Sequence, residues 1–247
     1  MSNVGTKRPR SPKSVVPSFS DVVAVCWDIE AVGTEVIGIG VAMMDIASGK
    51  VLEQKLMKGY FPNRPMDKRC WEEFWVHHQD VLELLTVDEH AEGALSFVQA
   101  QNKMVHELMQ FVIQAETYAI GQGKQFHIVS DNKVFDIGLV NRMIERYYGS
   151  DSQMPYSPLR LKDGKHRYMG YFYELQSMQR TLLCQHDKKF AIDSEWCYTE
   201  QVRKLYSIEP PQGVVHDHNP VNDAISQLHE YRDMQLIFDG VYSLPAV

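Results

Sequence analysis

Apolar and polar positions recur along this chain with periods that name its elements. Residues 22 to 30 form a mostly apolar, β-branched run ending on Asp28-Ile29-Glu30, and they read as a buried strand. Residues 36 to 46 and 51 to 58 read as two further strands, joined by a turn at Ser48-Gly49-Lys50. Helical spacing marks residues 68 to 85 and 94 to 117, the second with Leu95, Val98, Val105, Leu108, Met109 and Val112 on one face. Residues 126 to 130 predict another core strand, which runs through Asp131-Asn132 into a helix striped by Phe135, Leu139, Val140, Met143, Ile144 and Tyr147. Residues 159 to 168 predict a hairpin turning at Asp163-Gly164, followed by helices near 174 to 184 and 194 to 206. The last helix is capped by Asn219, begins at Pro220, and carries Val221, Ala224, Ile225, Leu228 and Tyr231 at helical spacing. Strands and helices mixed in this way over 247 residues predict a single α/β domain, a mixed β-sheet flanked by α-helices.

Three short blocks carry the chemistry. The strand period of two sends Asp28 and Glu30 to one side, where two carboxylates repel unless a hard divalent cation such as Mg²⁺ or Mn²⁺ sits between them. Asp136 falls in the first turn of its helix, where the helix dipole favours an anion. Asp223 lies near the start of the last helix, and His218 on the loop just before its cap, so an imidazole and a carboxylate can reach a common point. Taken singly, each block has a plain explanation: a solvated strand end, a helix N-terminal acid, a surface histidine beside Asp217.

Taken in order, D-x-E at Asp28 and Glu30, N-x-x-F-D at Asn132, Phe135 and Asp136, and H-x-x-x-x-D at His218 and Asp223 resemble the DEDDh branch of the 3′-to-5′ exonucleases. That family includes oligoribonuclease and RNase T, and the resemblance spans about residues 21 to 235. It implies an RNase H-like fold and a metal-dependent nuclease that takes nucleoside 5′-monophosphates from a single-stranded 3′ end, with RNA slightly favoured over DNA. It further implies two divalent cations, Mg²⁺ or Mn²⁺. Asp28, Glu30 and Asp223 would hold one, and Asp28 with Asp136, through water, the other. His218 would be the general base. Two departures stand out. Ala31 and Val32 replace the two threonines that many members place before the glycine, here Gly33, which bears on sugar recognition. Asp131 is the rival to Asp136 as third carboxylate, with Asp136 preferred for its company of Asn132 and Phe135. The reading from another class is a catalytically silent nucleic-acid-binding or adaptor protein on the same fold.

Substrate contacts are expected from Asn132 and Phe135, and from Trp71 and Trp75, which share a face with Phe74 and His78 if residues 68 to 85 are one helix. Such a face either stacks on terminal bases or packs inward. The segment 160 to 173 interleaves Arg160, Lys162, Lys165 and Arg167 with tyrosines and suits a single-stranded backbone or an ordinary hairpin equally.

Composition narrows the setting. A net charge of -7 argues against broad coating of a duplex but not against a nuclease whose acids are neutralised by metal ions. No apolar run is long enough to span a bilayer, and no signal peptide is expected. Cys26, Cys70, Cys184 and Cys197 have neither disulfide-frame nor zinc-site spacing and read as thiols of an intracellular protein. Residues 1 to 20 are expected to be a disordered basic tail, and Lys7-Arg8-Pro9-Arg10 within it suits either nuclear import or loose phosphate contact. The sequence allows a homodimer as well as a monomer.

Overall fold

The computed structural model describes residues 21–88, 93–148, 159–160, 166–167, 171–187, 189 and 198–243. The basic segment 1 to 20, the Asp163-Gly164 turn, Cys197 and the start of the helix expected from residue 194 lie outside the described residues.

Strands β1 (Val22–Val32), β2 (Glu35–Asp45) and β3 (Lys50–Lys58) form an antiparallel meander. It is continued on the other side of β1 by β4 (Gln125–Ser130) and then, after the short ribbon of β5 (Leu159–Arg160) and β6 (His166–Arg167), by β7 (Tyr171–Glu174). The resulting five-stranded sheet has the order β3-β2-β1-β4-β7, with β1, β4 and β7 parallel. Helices α1 (Lys68–Glu73), α2 (Gln79–Leu85), α3 (Phe97–Gly121), α4 (Gly138–Tyr148), α5 (Leu175–His186), α6 (Thr199–Tyr206) and α7 (Pro220–Phe238) flank it. This is the mixed α/β layering expected of an RNase H-like domain.

Alternation along β1 divides the core in two. Val23, Val25, Trp27 and Ile29 pack with Leu108 and Val112 of α3, while Val22, Ala24 and Cys26 pack with Ala224, Leu228 and Tyr231 of α7. Continuing the second set brings Asp28 and Glu30 out on the α7 side, so the strand period alone turns both carboxylates toward the first turn of α7. That helix is positioned by Asn219, whose side chain accepts from the Val221 amide at 3.1 Å, with Pro220 at its first turn.

The approach of α7 to the sheet is backbone on backbone. Gly40, paired with Asp28 across β1 and β2, lies directly under Pro220: a Cβ there would stand 2.0 Å from the Pro220 carbonyl carbon and 2.2 Å from the Val221 nitrogen. Neither atom is the end of a side chain that can swing away. Gly40→Ala is therefore expected to push α7 off the sheet, lowering stability by at least the ~1–3 kcal/mol typical of overpacking. Turnover should fall with it, because Asp223 rides on the displaced helix. Thermal melting and cleavage measured on one preparation check both parts.

One element differs from expectation. Residues 68 to 85 are not one helix, because Phe74 (φ -133°) and His78 (φ -128°) leave the helical region and frame a 3₁₀ turn at Trp75–His77. The break rotates Trp75 inward against Ile37, Val81, Leu82 and Leu85. Phe74 packs edge-on against the Trp75 ring at 4.8 Å, at the margin of the same cluster, and also reaches His218. In α3 the start shifts to residue 97 because Ser96 and Gln99 form a reciprocal capping box. Among the described residues, Cys26, Cys70 and Cys184 are free thiols, and no helix is long and apolar enough to cross a membrane.

Candidate active site

Three elements converge at the end of β1. Asp28 and Glu30 come from the strand and Asp223 from the first turn of α7, and one carboxylate oxygen from each lies within 4.8 Å of the others. Glu30 and Asp223 are buried, whereas Asp28 keeps partial access to solvent. Asp136, also buried, enters from the turn after β4 and accepts from the Ser130 hydroxyl and the Asn132 amide, both at 3.2 Å. Its charge reaches the others, for it helps raise the proton affinity of both Asp28 and Glu30.

Burial pushes every member of the group up, and repulsion from the other members adds to it at Asp28 and Glu30. Burial, then Asp223 and Asp136, raises Glu30 to about 8. Burial, with Asp131 adding to it, takes Asp136 to about 7, and burial takes Asp223 to about 6 against the opposing pull of His216. Asp28 is pushed well above the usual carboxylate range by burial and by Asp136, Glu30 and Asp223, and only a hydrogen bond from Gln227 counters this. Hard oxygen donors packed together at such cost fit divalent cations, which would offset the repulsion that raises these values. Neither Asp131 nor Asp136 belongs to the trio; the Asp131 carboxylate accepts from Gln176 Nε2 at 3.2 Å. Of the two, Asp136 is the one whose charge raises the proton affinity of Asp28 and Glu30.

Asp28 has a support that the motifs did not announce. Gln227 Nε2 donates to Asp28 Oδ1 at 2.9 Å, and the Cys26 thiol donates to Gln227 Oε1 at 2.9 Å. The thiol occupies the amide oxygen, so the amide nitrogen is the end presented to Asp28. Gln227 follows Asp223 by one helical turn, and that i, i+4 spacing on α7 was the available signal.

His218 sits at the mouth. Its backbone is in the left-handed region (φ 62°), held there by Asp217, which accepts from the Asn219 amide at 3.2 Å and from Asn222 Nδ2 at 3.0 and 3.1 Å. The Asp217 amide in turn donates to Asp223 Oδ1 at 3.0 Å, tying the loop to the site. The His218 ring meets Phe74 edge-on at 4.9 Å and His78 at 4.4 Å. Burial, followed by His78 and His216, lowers its proton affinity and keeps the imidazole neutral. His216, outside the motif, is no bystander, since its Nδ1 lies 3.3 Å from Asp223 Oδ1.

The expected substrate contacts divide. Trp75 is 1% exposed and belongs to the core, so it does not stack on a base. Trp75→Ala is accordingly expected to destabilise the protein by ~3–5 kcal/mol, as for other buried aromatics, read by denaturant melting. Trp71 is 37% exposed and remains available. Phe135, placed by its spacing on the buried stripe of a helix, is instead 42% exposed, because residues Lys133–Ile137 form a π turn that rotates it outward. It borders an open cleft of about 590 Å³ with Ala31, Gly33, Arg69 and Phe74. Asn132 commits its side-chain oxygen to the Phe135 amide at 3.1 Å and so shapes the turn that presents Phe135 and Asp136.

The sheet thus gathers at the end of its central strand a set of carboxylate oxygens of the kind that hold divalent cations, with imidazoles at the mouth. The chain is similar to solved 3′-exonuclease structures. One is a 3′-exonuclease recognising the 3′ end of a histone mRNA stem-loop: 12% identity over 92% of this chain and 87% of that one, TM-score 0.48. Another is the nuclease domain of a DEDDh family member bound to rAMP, at 12% identity over 93% and 98%, TM-score 0.48. A full-length 3′-exonuclease matches at 14% identity over 88% of this chain and 61% of that one, TM-score 0.45. No protein-family model and no curated protein sequence matches the chain. Its chemistry therefore rests on its own residues.

Proposed function

We propose that this protein is a metal-dependent 3′-to-5′ exonuclease that releases nucleoside 5′-monophosphates from single-stranded 3′ ends, with RNA slightly favoured over DNA. The observation that supports this best is the convergence of Asp28, Glu30 and Asp223 within 4.8 Å, with Asp136 close enough to raise the proton affinity of two of them. Asp28, Glu30 and Asp223 would hold one cation, Mg²⁺ or Mn²⁺, and Asp28 with Asp136, through water, a second. Such a pair supplies an acidified water, a clamp on the scissile phosphate and stabilisation of the leaving 3′ oxygen. Gln227 holds the Asp28 carboxylate in one orientation. His218, whose proton affinity is lowered, would take the proton of the attacking water on an imidazole nitrogen. Phe135 and Trp71 offer exposed ring faces for terminal bases.

The test is a gel assay on matched 3′-labelled and 5′-labelled RNA and DNA oligomers with Mg²⁺, Mn²⁺ or chelator. Shortening from the 3′ end that stops in chelator is the expected result. Binding without shortening in any cation would overturn the reading in favour of a silent adaptor, and cutting of circular single strands would point to an endonuclease.

A further inference from the structure

Asp223 belongs to two sets of ligand atoms. The first is the all-oxygen set with Asp28 and Glu30; the second joins it to His216 and His218, again with all ligand atoms within 4.8 Å of one another. The two sets differ in chemistry. Mg²⁺ prefers oxygen and avoids imidazole, whereas Zn²⁺ and its borderline neighbours take two histidines and a carboxylate readily. Geometry agrees. Arms of ~2.0–2.1 Å about a tetrahedral ion place neighbouring ligand atoms about 3.3–3.4 Å apart, and His216 Nδ1 lies 3.3 Å from Asp223 Oδ1. His216 is exposed and His218 partly so, which leaves a path for an ion and a fourth position open to solvent. Asp223 Oδ1 is already oriented by the Asp217 amide, so one ligand is held in place before the ion arrives.

We infer that His216, His218 and Asp223 form a second, transition-metal site for an ion of the Zn²⁺ class, distinct from the oxygen-lined set and sharing Asp223 with it. An ion there occupies a nitrogen of His218 and part of Asp223. If the exonuclease reading holds, it inhibits turnover supported by Mg²⁺ by removing the proton acceptor, while the two ions take different oxygens of Asp223. Binding itself does not depend on that reading.

Co²⁺ serves as a visible probe on the full chain, with Mg²⁺ in excess to fill the oxygen-lined set. Wild type should develop the absorption of a low-symmetry, nitrogen-ligated Co²⁺, displaced by Zn²⁺. His216→Ala and His218→Ala should each weaken this binding by at least the ~10–100-fold that loss of an outer partner costs. Glu30→Gln and Asp136→Asn, outside the trio, should retain it. His216 is exposed, so its variant should fold, and circular dichroism checks this. The site is refuted if no such absorption appears, if it persists undiminished in His216→Ala, or if Glu30→Gln abolishes it as fully as His216→Ala. The refuted case leaves a polar contact between His216 and Asp223 only. Failure of the exonuclease reading shows separately, as an absence of cleavage in Mg²⁺ alone.

Discussion

Asp28→Asn is expected to reduce turnover by more than the ~10²–10³-fold that follows loss of a single transition-state donor, while the protein stays as stable as before or becomes more so. Asp28 is the carboxylate assigned to both cations, and Gln227 supports it without being able to replace its charge. The stability half follows from repulsion. Burial and three neighbouring acids raise the Asp28 pKa, so the ionised form opposes folding, and a neutral isostere removes that opposition. Cleavage and melting are measured together; wild-type turnover in the folded variant would defeat the metal assignment.

The same repulsion has a pH signature. Glu30 rises from an ordinary 4.5 to about 8 on folding, so its protonated form favours the folded state. Its contribution is complete below the unfolded value and is lost as pH climbs through about 8. In chelator, the melting temperature of wild type minus that of Glu30→Gln should therefore fall as pH rises across this window. Mg²⁺ or Mn²⁺ should stabilise wild type more at the alkaline end than at the acid end, because it replaces the missing protons. An equal effect of the cation at both ends would contradict the assignment.

His218→Ala should cost ~10²–10⁴ in turnover with little change in Mg²⁺ affinity or KM. The ring stands at the mouth between Phe74 and His78, outside the oxygen-lined trio. As its proton affinity is lowered from 6.5, the acid limb of the rate profile should lie below that value in wild type and disappear in the variant. Loss through KM alone would make His218 a substrate-positioning residue. His216→Ala is not a silent control here, given its contact with Asp223.

Much of this site was legible because its cues are local. The alternation of β1 sets Asp28 and Glu30 on one side, and Asn219-Pro220 marks the start of α7, hence the place of Asp223. What stayed hidden depends on distant partners or on a departure from regular geometry. Gln227 meets Asp28 across 199 residues of chain. The break of the helix at Phe74 and His78 leaves no trace in a periodicity that runs on unbroken from 68 to 85, since tertiary burial of one indole decides it. Phe135 fits a helical stripe on paper and leaves it because a π turn adds a residue at that point.

The seat of Pro220 on Gly40 separates two properties that usually vary together. Spacing between the strand-borne and helix-borne acids is set where main chain touches main chain, with no rotamer on either side to relax. Trimming Leu228 or Ala224 further along α7 should thus weaken the domain without retuning the gap that a cation must fill. The centre can tolerate a loosened interior, whereas a single added methyl at Gly40 reaches it directly.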